Sequence, residues 1–210
     1  MASLDQVVPE VEDGSKDQQR ARLRRRAFAC KARVSPMRNI FYLFGQLSDA
    51  DVDWMIRNGQ KMSVSAGQEL IKAGREIDAV FIVLEGHLSV TTKSGEVARL
   101  TQGEIVGEMQ LVDSRPTSAT VKALDAVRVL KLPEKLLVPK LERDFPFAAR
   151  FYRGVAVALS DRLRTAQGEA EEARSGQKSA ELDELNPELL DTMHLAGARF
   201  NRLLGAVLED

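Results

Sequence analysis

The chain has 210 residues, of which 44% are hydrophobic, with a formal net charge of -1 and a sequence pI of about 6.2. That is enough apolar material for one domain with appendages, and the near-neutral balance excludes a global field that would select nucleic acid or an anionic membrane. The one cysteine, Cys30, excludes an intramolecular disulfide and suits a reducing cytoplasm as an inert thiol, and no apolar run has the length of a transmembrane helix.

Residues 1–35 form a polar arm. Asp5, Glu10, Glu12 and Asp13 precede its arginines, which argues against a signal or transit peptide. Arg20, Arg22, Arg24, Arg25, Arg26, Lys31 and Arg33 then crowd a short segment. A disordered, solvated tail is the expected state; the competing use is a grip on nucleic acid or an anionic surface. After Ser35-Pro36 comes an apolar cluster from Asn39 to Phe44. Ser48 is the expected N-cap of a helix from Asp49 to Asn58, with acids at its positive end and Gly59 after its close.

From Lys61 to Lys131 the period shortens. Met62/Val64, Leu70-Ile71, Val80 to Leu84, Leu88/Val90 and Val97 to Leu100 are separated by Gly67, Gly74, Gly86, Ser94-Gly95 and Gly103. Ala119 to Leu124 and Val127 to Leu132 complete the set. Short strands at about ten-residue spacing predict an α+β, mainly β fold: an antiparallel β-roll or jelly-roll barrel flanked by helices. His87, beside Gly86, is read as a turn or strand-surface residue rather than a metal ligand.

Helical spacing returns at Glu134 to Glu142 and at Asp144 to about Gln167. In the second helix Phe147, Phe151, Val155, Leu159 and Leu163 recur every four residues, with Tyr152 and Ala156 beside them. Residues 166–185 read as an acidic linker, so the domain is expected over 36–165. Asn186-Pro187 then starts an amphipathic helix over 186–210, with Leu189, Met193, Ala196, Phe200, Leu203 and Val207 along one face and His194 beside it. Such a helix is unstable alone and must dock, on its own chain, on a dimer mate or in a protein partner's groove.

The stretch Gly103 to Ala123 carries the candidate chemistry. Gly107 and Glu108 stand before a short apolar turn, Met109 to Val112, then a Ser114-Arg115-Pro116 break, then the extended Ser118-Ala119-Thr120-Val121. Strand, turn, brief helix, loop and strand in such close succession can aim backbone N–H groups at one anion. Gly-Glu-Met-Gln-Leu, followed by Pro-Thr-Ser-Ala-Thr-Val, resembles the phosphate-binding cassette of cyclic nucleotide-binding domains, and the resemblance extends over about residues 38–165. It implies a cyclic nucleotide as ligand, a site at Gly107, Glu108, Met109, Arg115, Thr117, Ser118, Ala119 and Thr120, with Glu108 on the ribose 2′-hydroxyl, and a homodimer through the Phe147–Leu163 helix.

Thr117 departs from that pattern, because the family has there the arginine that holds the cyclic phosphate. A threonine hydroxyl supplies neither the charge nor the two-pronged shape of a guanidinium. A buried phosphate without its cation costs on the order of 3–5 kcal/mol, roughly a hundredfold to several-thousandfold in affinity. Ordinary cAMP or cGMP should therefore bind weakly or not at all unless Arg115 folds back. Too little chain follows the long helix for a winged helix-turn-helix. With no P-loop, nucleophile elbow or metal spacing either, the expectation is a non-enzymatic, cytoplasmic regulatory or sensor protein. The alternatives are an interaction scaffold with a vestigial pocket, or a nucleic-acid binder using Arg20 to Arg33.

Overall fold

A computed structural model describes residues 36–175 and 187–208. The basic arm with Cys30 and the segment 176–186 lie outside the described residues. Two helices come first, α1 (Pro36–Phe44) and α2 (Asp49–Asn58). Ser48 caps α2 with a complete capping box: its hydroxyl accepts from the Asp51 N–H at 3.3 Å, and the Asp51 carboxylate accepts from the Ser48 N–H at 2.6 Å. The strands are β1 (Gln60–Val64), β2 (Glu69–Ile71), β3 (Ala79–Glu85), β4 (Leu88–Thr92), β5 (Gly95–Leu100), β6 (Ile105–Val106), β7 (Thr120–Ala123) and β8 (Val127–Pro133). A short helix, α3 (Glu108–Asp113), sits between β6 and β7, and α4 (Glu134–Arg143), α5 (Phe145–Ser175) and α6 (Pro187–Leu208) follow β8.

The strands make two antiparallel sheets of four, ordered β1-β8-β3-β6 and β2-β7-β4-β5. The expected β-roll is thus two facing sheets rather than one closed barrel. β3 shows why its sequence is an unbroken apolar run: Ala79, Phe81 and Val83 pack between the sheets, whereas Val80, Ile82 and Leu84 join the core under the helices. Both faces of this strand are covered, so alternation disappears. Helix α1 is buried for a similar reason. Its residues Ile40 to Phe44 all lie in the core, wedged between α5 and α6. Gly154 lets α5 approach, since a Cβ there would stand 3.1 Å from the Leu43 Cα.

One expectation needs correction. The linker expected from residue 166 is helical as far as Ser175, because Ala166, Gln167 and the Glu-Ala stretch are good helix formers and a single Gly168 costs only about 1 kcal/mol. The C-terminal helix docks on its own chain, the first of the three options open to it. Ala196, Phe200, Leu203 and Val207 are buried against the chain's own α1 and α2, with the Phe44 and Phe200 rings 5.0 Å apart edge to face. Arg199 donates to Asp49 at 2.7 Å and to the Phe44 carbonyl at 3.2 Å, and Arg202 pairs with Asp53 at 2.6 Å.

Candidate functional site

β6 delivers the chain into the cassette at Gly107, whose φ of 90° only glycine adopts easily. Space requires glycine there too, because a Cβ would lie 2.7 Å from Ile77 Cδ1 and 3.1 Å from the Ala79 carbonyl oxygen. The cassette is thereby pressed onto the loop that joins β2 to β3. Gln110 fastens it with both ends of its amide: Oε1 accepts from the Ile77 N–H at 2.9 Å and Nε2 donates to the Ile77 carbonyl at 2.8 Å.

Thr117 closes the other side of the same loop. Its hydroxyl donates to the Lys72 and Arg75 carbonyls at 2.7 and 2.9 Å, its N–H donates to the Arg75 carbonyl at 3.0 Å, and its own carbonyl accepts from Gly74 at 2.7 Å. Thr120 accepts from the Ala73 N–H at 3.1 Å. The threonine is therefore a structural latch for the Lys72–Arg75 turn. The Arg115 side chain is 82% exposed and turned toward Asp113 at 3.9 Å. The turn at Ser114, whose φ is 54°, carries the chain outward there. Met109 and Ser118 are exposed and Ala119 half-buried.

Glu108 has the opposite environment. It is 2% exposed, and Arg162 of α5 donates to its Oε1 at 2.6 Å. The same guanidinium donates to the Ile105 carbonyl and stands 3.9 Å from Glu104. Burial pushes the Glu104 carboxyl up, against the opposing pull of Arg162. Beside this group lies a cavity of about 10 Å³ between α1, the Gly103–Ile105 turn and α5, room for about one water. A larger hollow of about 290 Å³, lined by Trp54, Leu136, Lys140 and Arg143, lies away from the cassette.

Glu108 and Thr117 thus belong to separate hydrogen-bond networks, one facing α5 and one facing the β2–β3 loop. Sequence reasoning missed Arg162 and Gln110. Arg162 did leave a signal: Phe151, Val155 and Ala158 mark the core-facing side of α5, and a charge at the next turn of that side demands a buried partner. Gln110 left none. His87 is a surface residue, with Nδ1 2.6 Å from Asp125.

Residues 61–144 match the family model described as the cyclic nucleotide-binding domain. The chain carries a domain of this family. Over 90 residues it is 36% identical to a cyclic nucleotide-gated potassium channel of Mesorhizobium japonicum, a match covering 43% of this chain and 25% of the channel. It is 29% identical over 89 residues to a patatin-like phospholipase domain-containing protein of Caenorhabditis elegans, covering 42% of this chain and 6% of that protein. A cyclic nucleotide-binding domain from Methylobacillus flagellatus superposes with a TM-score of 0.58 at 19% identity, over 67% of this chain and 85% of that one, a likeness of fold. The chain spans a quarter or less of the length of these curated relatives, so what is shared is the cyclic nucleotide-binding domain and not their activities. Among the described residues no group of His, Cys, Asp and Glu is placed to hold a metal, and no helix is long and apolar enough to cross a membrane.

Proposed function

We propose that the chain is a non-enzymatic regulatory protein whose cyclic nucleotide-binding domain takes ordinary cAMP or cGMP weakly or not at all. The observation that carries this reading is Thr117, which stands where the family pattern has its phosphate-binding arginine and whose hydroxyl is engaged by two backbone carbonyls. Arg115 supports it by pointing away from the cassette. A ligand at Glu108, Ser118 and the local backbone would act by biasing α5.

The second reading is a scaffold with a vestigial pocket, favoured by the pairing of Glu108 with Arg162. Thermal melting with cAMP, cGMP and other nucleotides separates the two. Ligand at a hundred times its Kd adds about 2.7 kcal/mol, a shift of several degrees. The sensor reading expects little or no shift with cAMP for the native chain and a clear one for Thr117→Arg. No shift for either protein with any nucleotide favours the scaffold, and tight cAMP binding by the native chain overturns the weak-binding reading.

The partner in this reading is a second copy. On α5 Phe147, Phe151 and Val155 face the domain core, whereas Tyr152 and Leu163 are 41% and 59% exposed. With Ala156, Leu159 and Ala166 they recur at alternating four- and three-residue steps, the spacing of a coiled-coil seam. The face of α6 that carries Phe200 is covered by its own chain, which leaves α5 as the better candidate for a protein contact. Residence in the cytoplasm belongs to the same proposal.

A further inference from the structure

The hollow between α2 and α4 belongs neither to the cassette nor to the core. Its volume is about 290 Å³, at the small end of the roughly 300–1,000 Å³ of small-molecule sites. Leu136, 38% exposed, and Pro139 give it an apolar wall from α4, and the half-buried Trp54 supplies the α2 side. Asn58 Nδ2 donates to the Trp54 carbonyl at 2.8 Å and fixes the end of α2 that carries the indole. Covering this apolar surface with a bound side chain removes it from water, which is favourable in proportion to its area.

The charges around the hollow are one-sided. Lys140 is spent within the chain: its ammonium lies 2.6 Å from Asp144 Oδ2 and 5.8 and 5.2 Å from the Trp54 and Phe147 ring centroids. The other Asp144 oxygen accepts from the Phe147 N–H at 3.0 Å, so the carboxylate lining the hollow is satisfied by its own neighbours. Arg143 is exposed and, among the described residues, makes no hydrogen bond or ion pair, and the Trp54 indole N–H has no acceptor among them. An apolar wall with unspent donors and one unspent positive charge is complementary to an apolar side chain flanked by carboxylates. We propose that the hollow docks an acidic peptide segment of a partner protein, with one aromatic or branched side chain between Leu136 and Trp54 and a neighbouring carboxylate on Arg143. A free small acid has too few contacts here, since one exposed ion pair adds little by itself, whereas a polypeptide adds contacts along both helices. The proposal holds whether or not the cassette takes a nucleotide, because the two surfaces are separate.

Trp54 is the chain's one tryptophan, so its emission in the full chain reads the hollow directly. The probe is a blocked pentapeptide, Gly-Glu-Phe-Glu-Gly, compared with its Gly-Gln-Phe-Gln-Gly counterpart. The acidic probe should give a saturable shift of Trp54 emission, and the glutamine probe should bind about fivefold more weakly, the upper range for an exposed ion pair. Arg143→Gln should lose the same factor for the acidic probe and nothing for the glutamine probe, whereas Leu136→Ser should weaken both. If Leu136→Ser also lowers the melting temperature, Arg143→Gln, at an exposed position outside the core, carries the decision. No shift with the acidic probe, equal affinity for the two probes, or full affinity in Arg143→Gln each overturns the proposal. N-acetylphenylalanine binding as tightly as the pentapeptide makes the hollow a small-molecule site, and a Trp54 shift with protein concentration alone assigns it to a second copy; either result overturns the peptide assignment.

Discussion

Single side chains in this domain are decided by whether a buried charge has a partner. Asp51 is 4% exposed and receives both the Ser48 cap and two donors from Arg150, at 2.6 and 2.9 Å. Burial pushes its carboxyl up, but the Arg150 guanidinium and the Ser48 donors outweigh that and hold it below the usual carboxylate range. Its stabilising contribution is therefore full above the unfolded value of about 3.9 and is lost as pH falls through the lower folded value. Arg150→Ala leaves this buried carboxylate without its cation and held only by the Ser48 donors, and chemical denaturation at neutral pH should read a loss of about 1.5–3 kcal/mol. Glu104 has the reverse sign. Burial raises it, so the folded state holds its proton more firmly than the unfolded chain, and stability falls as pH rises from about 4.3 through the folded value. The stability difference between Glu104→Gln and the native protein should move in favour of the variant between pH 4 and pH 7, and denaturation curves at those two values check it. A difference independent of pH would mean that this carboxyl is not raised.

Among elements, α5 shows how one regular spacing places residues both in the core and on the surface. The four-residue stripe Phe147, Phe151, Val155, Leu159, Leu163 reads as a single face, but an α-helix turns through slightly more than 360° in four residues, so the stripe drifts around the axis. Phe147 to Val155 land in the core, and Leu163 lands outside. Replacing Ala156 and Leu163 together with Glu should convert a dimer into a monomer in analytical ultracentrifugation without lowering the melting temperature of the monomer, because neither is part of the core. A monomeric native protein would sink the seam. For α6 the question was what it docks on, and the contact with α1 answers it within the described residues. Phe200, 1% exposed, fills the space beside Phe44, so Phe200→Ala should cost about 3–5 kcal/mol of global stability, read by denaturant titration. If α6 only fringed the domain, the loss would be well under 1 kcal/mol.

Over the described residues the domain is a pair of facing sheets with a helical layer on one side, and its order of elements was largely legible along the chain. Gly74, Gly86, Gly95 and Gly103 punctuate the strands, Ser48 announces α2, and Pro187 begins α6. These signals are local: a backbone angle, a cap or a period acts within a few residues, so it is written there. The cassette's outline and the absence of an arginine at Thr117 were legible for the same reason. What lay beyond reading were the pairings between distant segments. Arg162 meets Glu108 across 54 positions, and Gln110 meets Ile77 across 33; nothing within either segment names its mate. That the strands divide into two sheets, and that α6 returns to cover α1, are likewise outcomes of how buried surfaces fit together, since an apolar face specifies that it must be covered but not by what.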